Sequence, residues 1–265
     1  MKVKVTVLQM KIERLAPEKN RAKLAQMMAE AGDANPDIVV LPELWDTGFY
    51  PRPPVDYAVE GEISRKFLAE LARKYRINMV GGSIITERDG AAYNTCIAFD
   101  RHGQAVGSYD KIHLFSPSGE NKDFSPGGKI CLFPLDELTC GAAICYDLRF
   151  PELTRQMTAK GAKIIFLPAE WPKSRLAHWR ILTQARAVEN QIFLIAANGA
   201  GDFNKKTSLA GHSMIVCPWG EIIAEADENE AVICAELDME QITRARKAIN
   251  VWQDARPDLW IRNSN

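Results

Sequence analysis

From residue 2 onward the chain reads KVKVTVLQM, polar and apolar positions alternating at the period of a strand with one face in a core. The pattern changes at PEKNRAKLAQMMAEAG (17–32), where apolar residues recur at helical spacing behind an early proline and before a closing glycine. PDIVVLPE (36–43) is continuously apolar over a short run, as in a strand buried on both faces. EISRKFLAELARKYR (62–76) is an amphipathic helix leading into a strand, INMVGGSII (77–85). AYNTCIAFD and AVGSYDK, separated by RHGQ, form a hairpin. Strand and helix then alternate: GAAIC, PELTRQMTAKG, AKIIFLPAE, RLAHWRILTQARAVENQ and IFLIAANG. AGHSMIVCPWGEIIAEAD is a hairpin turning at PWGE, AVICAELD a closing strand and MEQITRARKAI the last helix, before a tail containing Trp252 and Trp260.

No low-complexity stretch or composition shift interrupts this alternation, so residues 1–265 read as one α/β domain. Buried strands mixed with hairpins fit two sheets packed face to face with helices outside.

Composition narrows the partners. A formal net charge of −1 gives no general attraction to nucleic acid or to an anionic membrane. The longest apolar runs are too short to cross a bilayer, and the N-terminus reads as a first strand, not a signal peptide. The six cysteines (96, 131, 140, 145, 217 and 234) form no CxxC pair, so a disulfide framework is not expected and a cytoplasmic protein is. Histidines 102, 113, 178 and 212 are dispersed, without HxH or HExxH spacing, so no metal site is expected.

Three reactive side chains stand where apolar strands end. Glu43, in VVLPELWDTGF, is a carboxylate just past a buried run, expensive there unless hydrogen-bonded or protonated. Position alone fits a solvated loop acid equally well. Lys111, in GSYDKIHLF, reads in isolation as a surface lysine, and His113 shares its face if the strand continues. Cys145, in CGAAICYDLRFPEL, sits where a strand runs into a turn and then a helix. There the backbone N–H of Tyr146 can point at the same spot as the thiol and serve an oxyanion.

In the order Glu, Lys, Cys, these segments together resemble the nitrilase superfamily of carbon–nitrogen hydrolases, and GHSMIVCPWGEIIAEA extends the likeness over nearly the whole chain. The resemblance implies a four-layer α-β-β-α sandwich in which Glu43, Lys111 and Cys145 converge. It nominates Glu120, in SGENKDFSPGG, as a second glutamate that positions Lys111 or the substrate. It also implies the chemistry: Glu43 as general base, a Cys145 thioester, and Lys111 with the Tyr146 N–H at the oxyanion, with no cofactor.

CYDLRFPEL, AHWRILTQARAVENQ and GHSMIVCPWGE resemble the omega-amidase branch, which hydrolyses 2-oxoglutaramate and 2-oxosuccinamate. Such substrates carry a carboxylate, for which Arg149, Lys173 and Arg175 are candidate cations. Arg149 has a rival reading as an ion-pair partner of Asp147 or Glu152. Glu170 and Trp171, in LPAEWPKS, are expected to line the pocket, although Trp171 can equally be ordinary packing, the safer reading for Trp179. The expected partners are a small-molecule amide, water and further copies of this chain in a homodimer or higher oligomer. Three alternatives stay open: a papain-like thiol hydrolase with His178 or His212 as base, a non-catalytic relative, and a nitrile or other-amide hydrolase of the same family.

Overall fold

In the computed structural model, which describes residues 1–204, 207–256 and 258, the opening alternation becomes β1 (Lys2–Gln9) and the first helical pattern α1 (Pro17–Asp33). Next come β2 (Ile38–Val40), α2 (Ala58–Tyr75), β3 (Asn78–Val80), β4 (Ile84–Arg88), β5 (Ala91–Phe99), β6 (Ala105–Asp110) and the short α3 (Glu120–Asp123). The second half supplies β7 (Leu132–Leu135), β8 (Leu138–Ala142), α4 (Pro151–Ala159), β9 (Ile164–Ala169), α5 (Leu176–Asn190) and β10 (Phe193–Asn198). It closes with β11 (Asp202–Asn204), β12 (Thr207–Ser208), β13 (Met214–Val216), β14 (Ile222–Glu225), β15 (Ala231–Asp238), α6 (Glu240–Ala248) and α7 (Val251–Asp254).

The strands form two mixed sheets and one small hairpin, β11–β12. The first sheet has the order β15-β1-β2-β3-β5-β4 with β6 paired to β5; the second runs β14-β13-β10-β9-β8-β7. Parallel pairing is confined to the centres, β1-β2-β3 and β8-β9-β10, and antiparallel strands flank both. This is why IVV, IIFLPA and FLIAAN are apolar at nearly every position: central parallel strands are covered on both faces.

Side-chain parity shows the layering. Val3, Val5 and Val7 of β1, Ile38 and Val40 of β2, and Cys96 and Ala98 of β5 point toward the second sheet and share a core with Phe133, Ala142, Phe166 and Ile195. The alternate residues Leu8, Val39, Met79, Ile97 and Phe99 pack with Leu24, Met28, Leu68 and Ala72 of α1 and α2. On the outer side of the second sheet α5 packs against β10 and β13 and alongside α4. The result is the expected α-β-β-α sandwich.

Two expectations change in detail. INMVGGSII is two strands, not one, because the chain turns at Gly81–Gly82. Gly82 has φ +62°, and a Cβ there would lie 2.0 Å from the Pro42 carbonyl oxygen, so only glycine lets this turn press against the Glu43 segment. The strand before Lys111 stops at Asp110, so His113 does not share a face with it. As for the tail, Trp252 folds back on its own chain: its indole N–H reaches the Asn190 carbonyl (3.4 Å) and Arg155 lies over its ring. Trp260 lies outside the described residues.

The Glu43 loop also carries Asp46, whose carboxyl is fully buried. Burial pushes its pKa up to about 6, and Ser64, nearby backbone amides and Arg21 offset that only in part. The folded state therefore holds this proton more tightly than the unfolded chain does. Asp46 favours folding below about pH 4, and that contribution is lost as pH rises through 6. The difference corresponds to roughly 3 kcal/mol. Asp46→Asn is expected to stabilise the protein at pH 7.5 and not at pH 4. Urea unfolding of both proteins across that range tests this, and parallel pH dependences would refute it.

Candidate active site

Glu43 is delivered by the loop after β2, which is stitched to its neighbours. Ser83 N–H donates to the Pro42 carbonyl (3.2 Å), Leu44 N–H donates to Ser83 Oγ (2.9 Å), and the Trp45 indole donates to the Gly81 carbonyl (3.0 Å). Leu44 has φ +41°, a left-handed conformation that a leucine adopts only when its surroundings enforce it. Lys111 leaves β6 with its N–H on the Asn94 carbonyl (2.9 Å) and its own carbonyl receiving Gly127 N–H (2.9 Å). Glu120 opens the single turn of α3.

These segments meet with the Lys111 ammonium at the centre. It donates to Glu43 Oε1 (2.8 Å) and to Glu120 Oε2 (2.9 Å) and Oε1 (3.0 Å), and all three side chains are fully buried. Asn94 Nδ2 bridges the two carboxylates at 2.8 and 3.3 Å. Backbone amides complete them: Glu170 N–H donates to Glu43 Oε2 (2.9 Å) and Phe115 N–H to Glu120 Oε2 (2.6 Å). Burial works against the charge on Lys111, but Glu120 and Glu43 outweigh it and hold its pKa well above the ordinary lysine value. Burial, with the nearby Glu43 charge, raises Glu120, and Lys111 pulls the other way.

Cys145 completes the group. It has φ +47° at the exit of β8 and begins a 3-10 turn, Cys145–Arg149. A non-glycine residue held there carries strain of about 1–3 kcal/mol, sustained only by surrounding bonds. Asp147, buried beneath the turn, supplies them. It accepts from Ile144 N–H (2.9 Å), Tyr109 Oη (2.7 Å), His113 N–H (3.0 Å) and His113 Nδ1 (2.7 Å). Arg186 of α5 holds the same turn by its Leu148 carbonyl (3.1 Å). The turn of Cys145 and the chain just beyond Lys111 are thus tied to one carboxylate. Burial pushes the Cys145 thiol well above the usual cysteine range, Glu43 pushes it further, and Lys111 opposes. Cys145 is therefore held as a thiol, and a thiol is a nucleophile only where a base removes its proton.

Above Cys145 opens a cavity of about 310 Å³ walled by Phe49, Phe115, Tyr146, Trp171, Arg149 and Arg175. The Tyr146 ring is wedged edge-on against Phe115 (5.0 Å) and Phe150 (5.3 Å). Arg149 lies over the Trp171 ring at 4.7 Å, and Arg175 over Phe115 at 5.6 Å. Arg149 is not the ion-pair partner of Asp147, whose oxygens are taken as above; its other neighbour is His178 Nδ1 (3.4 Å). Lys173 pairs with Glu228 and does not line the cavity. Trp171, 2% exposed, both packs against Trp179 and faces the cavity. His212 is engaged with Glu225 (2.9 Å) and Arg180 (3.1 Å).

Of the ten site candidates named from the sequence, nine are found together: Glu43, Lys111, Glu120 and Cys145 as one cluster, and Tyr146, Arg149, Glu170, Trp171 and Arg175 around the cavity, with Lys173 apart from it. Sequence reasoning missed Asn94 and Asp147 as parts of the site. Asn94 had a usable signal, an amide inside the apolar run of a central strand, where an unpaired polar group is costly.

Comparison with known proteins agrees. The family model described as carbon-nitrogen hydrolase matches residues 4–247. The chain is 38% identical to 2-oxoglutaramate amidase of Bacillus subtilis (strain 168), over 98% of this chain and 100% of that protein. It is 32% identical to omega-amidase NIT2 of Homo sapiens, over 97% and 96% respectively. The crystal structure of Saccharomyces cerevisiae Nit3, a member of branch 10 of the nitrilase superfamily, superposes with a TM-score of 0.88 at 31% identity, covering 96% of this chain and 97% of that one. With its sandwich fold and a match over nearly its full length, this chain belongs to the carbon–nitrogen hydrolase family, enzymes that hydrolyse carbon–nitrogen bonds other than peptide bonds.

Proposed function

We propose that the chain is an omega-amidase that releases ammonia from small 2-oxo acid amides, with Cys145 as nucleophile. The observation that carries this reading is the placement of a Glu43–Lys111–Cys145 cluster at the base of a cavity whose wall carries two arginines. A cysteine with a raised pKa beside a carboxylate suits proton transfer concerted with attack. Glu43 takes the thiol proton as sulfur bonds to the amide carbon. The new oxyanion is met by the Lys111 ammonium and the Tyr146 N–H. Glu43 then protonates the leaving nitrogen, the carbon–nitrogen bond breaks, and ammonia departs from a Cys145 thioester. Water, deprotonated by Glu43, attacks the thioester; the carboxylic acid leaves and the thiol regains its proton. Glu120 keeps Lys111 aimed and adds a second negative charge that holds it as an ammonium. Arg149 and Arg175 take the substrate carboxylate, each already backed by an aromatic face. The names of the B. subtilis and human relatives support this choice of substrate.

Ammonia release from a panel of 2-oxoglutaramate, 2-oxosuccinamate, glutamine, asparagine, aliphatic amides, N-carbamoyl amino acids and nitriles tests the reading. Selective turnover of the two oxo-acid amides is expected, and turnover confined to other members would move the substrate assignment.

The proposal extends to organisation. Residues 1–265 are read as one domain, because both sheets contribute to a shared core and to the site. A homodimer in a reducing cytoplasm fits the thiol content and the exposed apolar residues Ile181 and Val188 of α5 and Trp219 of the β13–β14 turn. Light scattering in reducing buffer should give twice the chain mass, and a monomer mass would remove the dimer.

A further inference from the structure

The chain that brings the Glu170 N–H to Glu43 is held from β10, a strand that carries none of the reacting groups. β9 ends at Ala169, and its parallel neighbour β10 runs level with it to Asn198. The Asn198 side chain is fully buried and reaches across to the residues just past β9. Its Oδ1 accepts the Trp171 N–H (2.7 Å), and its Nδ2 donates to the Trp171 carbonyl (3.3 Å) and the Gly211 carbonyl (2.7 Å). One carboxamide thus grips both backbone groups of residue 171, as a neighbouring strand would. The Ala210 N–H adds a bond to the same Trp171 carbonyl (2.7 Å), and Pro172 pairs with Leu209.

What this grip fixes lies at both ends of the site. One residue back, the Glu170 N–H donates to Glu43 Oε2 (2.9 Å) and favours the charged form of the Cys145 thiol. At the other end the Trp171 ring walls the cavity and carries Arg149 at 4.7 Å, and Leu209 of the clamped segment lines the cavity too. Among side chains of this size only a carboxamide supplies the pattern, one acceptor for an N–H and two hydrogens for two carbonyls. A carboxylate of the same shape would set an oxygen against those carbonyls. A shorter hydroxyl would not span the three groups.

We propose that Asn198 is a positioning residue of the amidase, clamping the Trp171 backbone so that the Glu170 N–H meets Glu43 beside the thiol while the indole backs Arg149. It acts through these groups and touches no reacting atom. The roles of Glu43 and Cys145 come from the omega-amidase reading, on which this inference rests. A base and nucleophile misplaced by about an ångström lose on the order of a hundredfold in rate, which sets the size of the effect.

The test uses wild type, Asn198→Asp, Asn198→Ser and Ser213→Ala, with two readouts. One is kcat/KM for 2-oxoglutaramate; the other, which needs no substrate, is the rate of Cys145 alkylation by iodoacetamide, followed by mass spectrometry. Ser213 Oγ bonds to the backbone N–H (2.9 Å) and carbonyl (3.2 Å) of Asn198 itself, so Ser213→Ala loosens the same residue and spares its bonds to Trp171. That variant should lose melting temperature and keep both rates within about threefold of wild type. Asn198→Asp should lose about a hundredfold in kcat/KM near pH 8. It should also alkylate more slowly, because the amide that favours the thiolate and holds its base has moved. Near pH 5.5 its buried carboxyl regains a proton to donate, and its activity relative to wild type should recover about tenfold. Asn198→Ser should lose activity without that recovery, and it carries the comparison with Ser213→Ala if Asn198→Asp does not fold. A collapsed pocket would instead expose the thiol and quicken alkylation. Quickened alkylation, an Asn198→Asp rate within threefold of wild type near pH 8, or an equal loss in Ser213→Ala overturns the proposal. So do parallel pH profiles for the Asn198→Asp and Asn198→Ser variants. If wild type releases no ammonia from 2-oxoglutaramate, the substrate reading fails, and the alkylation rates alone decide the role of Asn198.

Discussion

Cys145→Ala is expected to remove turnover of every amide, by about six orders of magnitude, the scale seen when a protease loses its nucleophile. Only the sulfur is lost. The substituted alanine still has to adopt φ near +47°, and the bonds that enforce it run from Asp147 to Ile144, Tyr109 and His113, none involving the thiol. The fold should therefore persist, with substrate bound but not converted. Removing the thiol takes away the group that burial and Glu43 keep protonated, so a small change in thermal stability is the expected companion. Measurable steady-state ammonia release from this variant would dismiss the thioester route. Retained binding, seen as a substrate-induced rise in melting temperature, separates a lost nucleophile from a collapsed pocket.

The second large effect is expected from Lys111→Arg. The ammonium is fully buried and makes short bonds to two carboxylates on different segments, with Asn94 bridging them and the Phe49 ring 5.8 Å away. A planar guanidinium keeps the charge but is bulkier and cannot direct its donors to the same three points. Overpacking of this kind costs about 1–3 kcal/mol of stability. Displacing the cation from the developing oxyanion costs about 10²–10³ in kcat, judged from single oxyanion donors elsewhere. Lys111→Arg should thus fold with a lowered melting temperature and lose at least a hundredfold in kcat. Near-normal turnover would take Lys111 out of the oxyanion role.

Much of this was legible in the linear chain. The strand ends carrying Glu43 and Cys145 were visible as apolar runs broken by a single reactive residue, because a central strand excludes polar groups until it leaves the sheet. The layering could be read from parity in β1 and β5, where alternate residues serve different cores. Other features had no local signature. His113 looked like a strand neighbour of Lys111, but β6 stops at Asp110 and the imidazole turns to Asp147, which is 34 positions along the chain. Arg149 and Lys173 were equivalent as candidate cations; only the folded surface shows one against the Trp171 ring in the cavity and the other paired with Glu228.

What the sequence by itself determined is the alternation of strands and helices, the segments whose order marks the family, and the kinds of side chain placed at the strand ends. These rest on periodicity and residue chemistry, which are properties of short stretches. Only the tertiary structure decided how those groups act on one another: that Lys111 serves two carboxylates, that Asp147 holds the strained turn of Cys145, and that the Glu170 N–H after β9 donates to Glu43. Burial, distance and the count of charges in one enclosed volume control protonation and hydrogen bonding. Those quantities exist only once β2, β6, β8 and β9 deliver their ends to a common point.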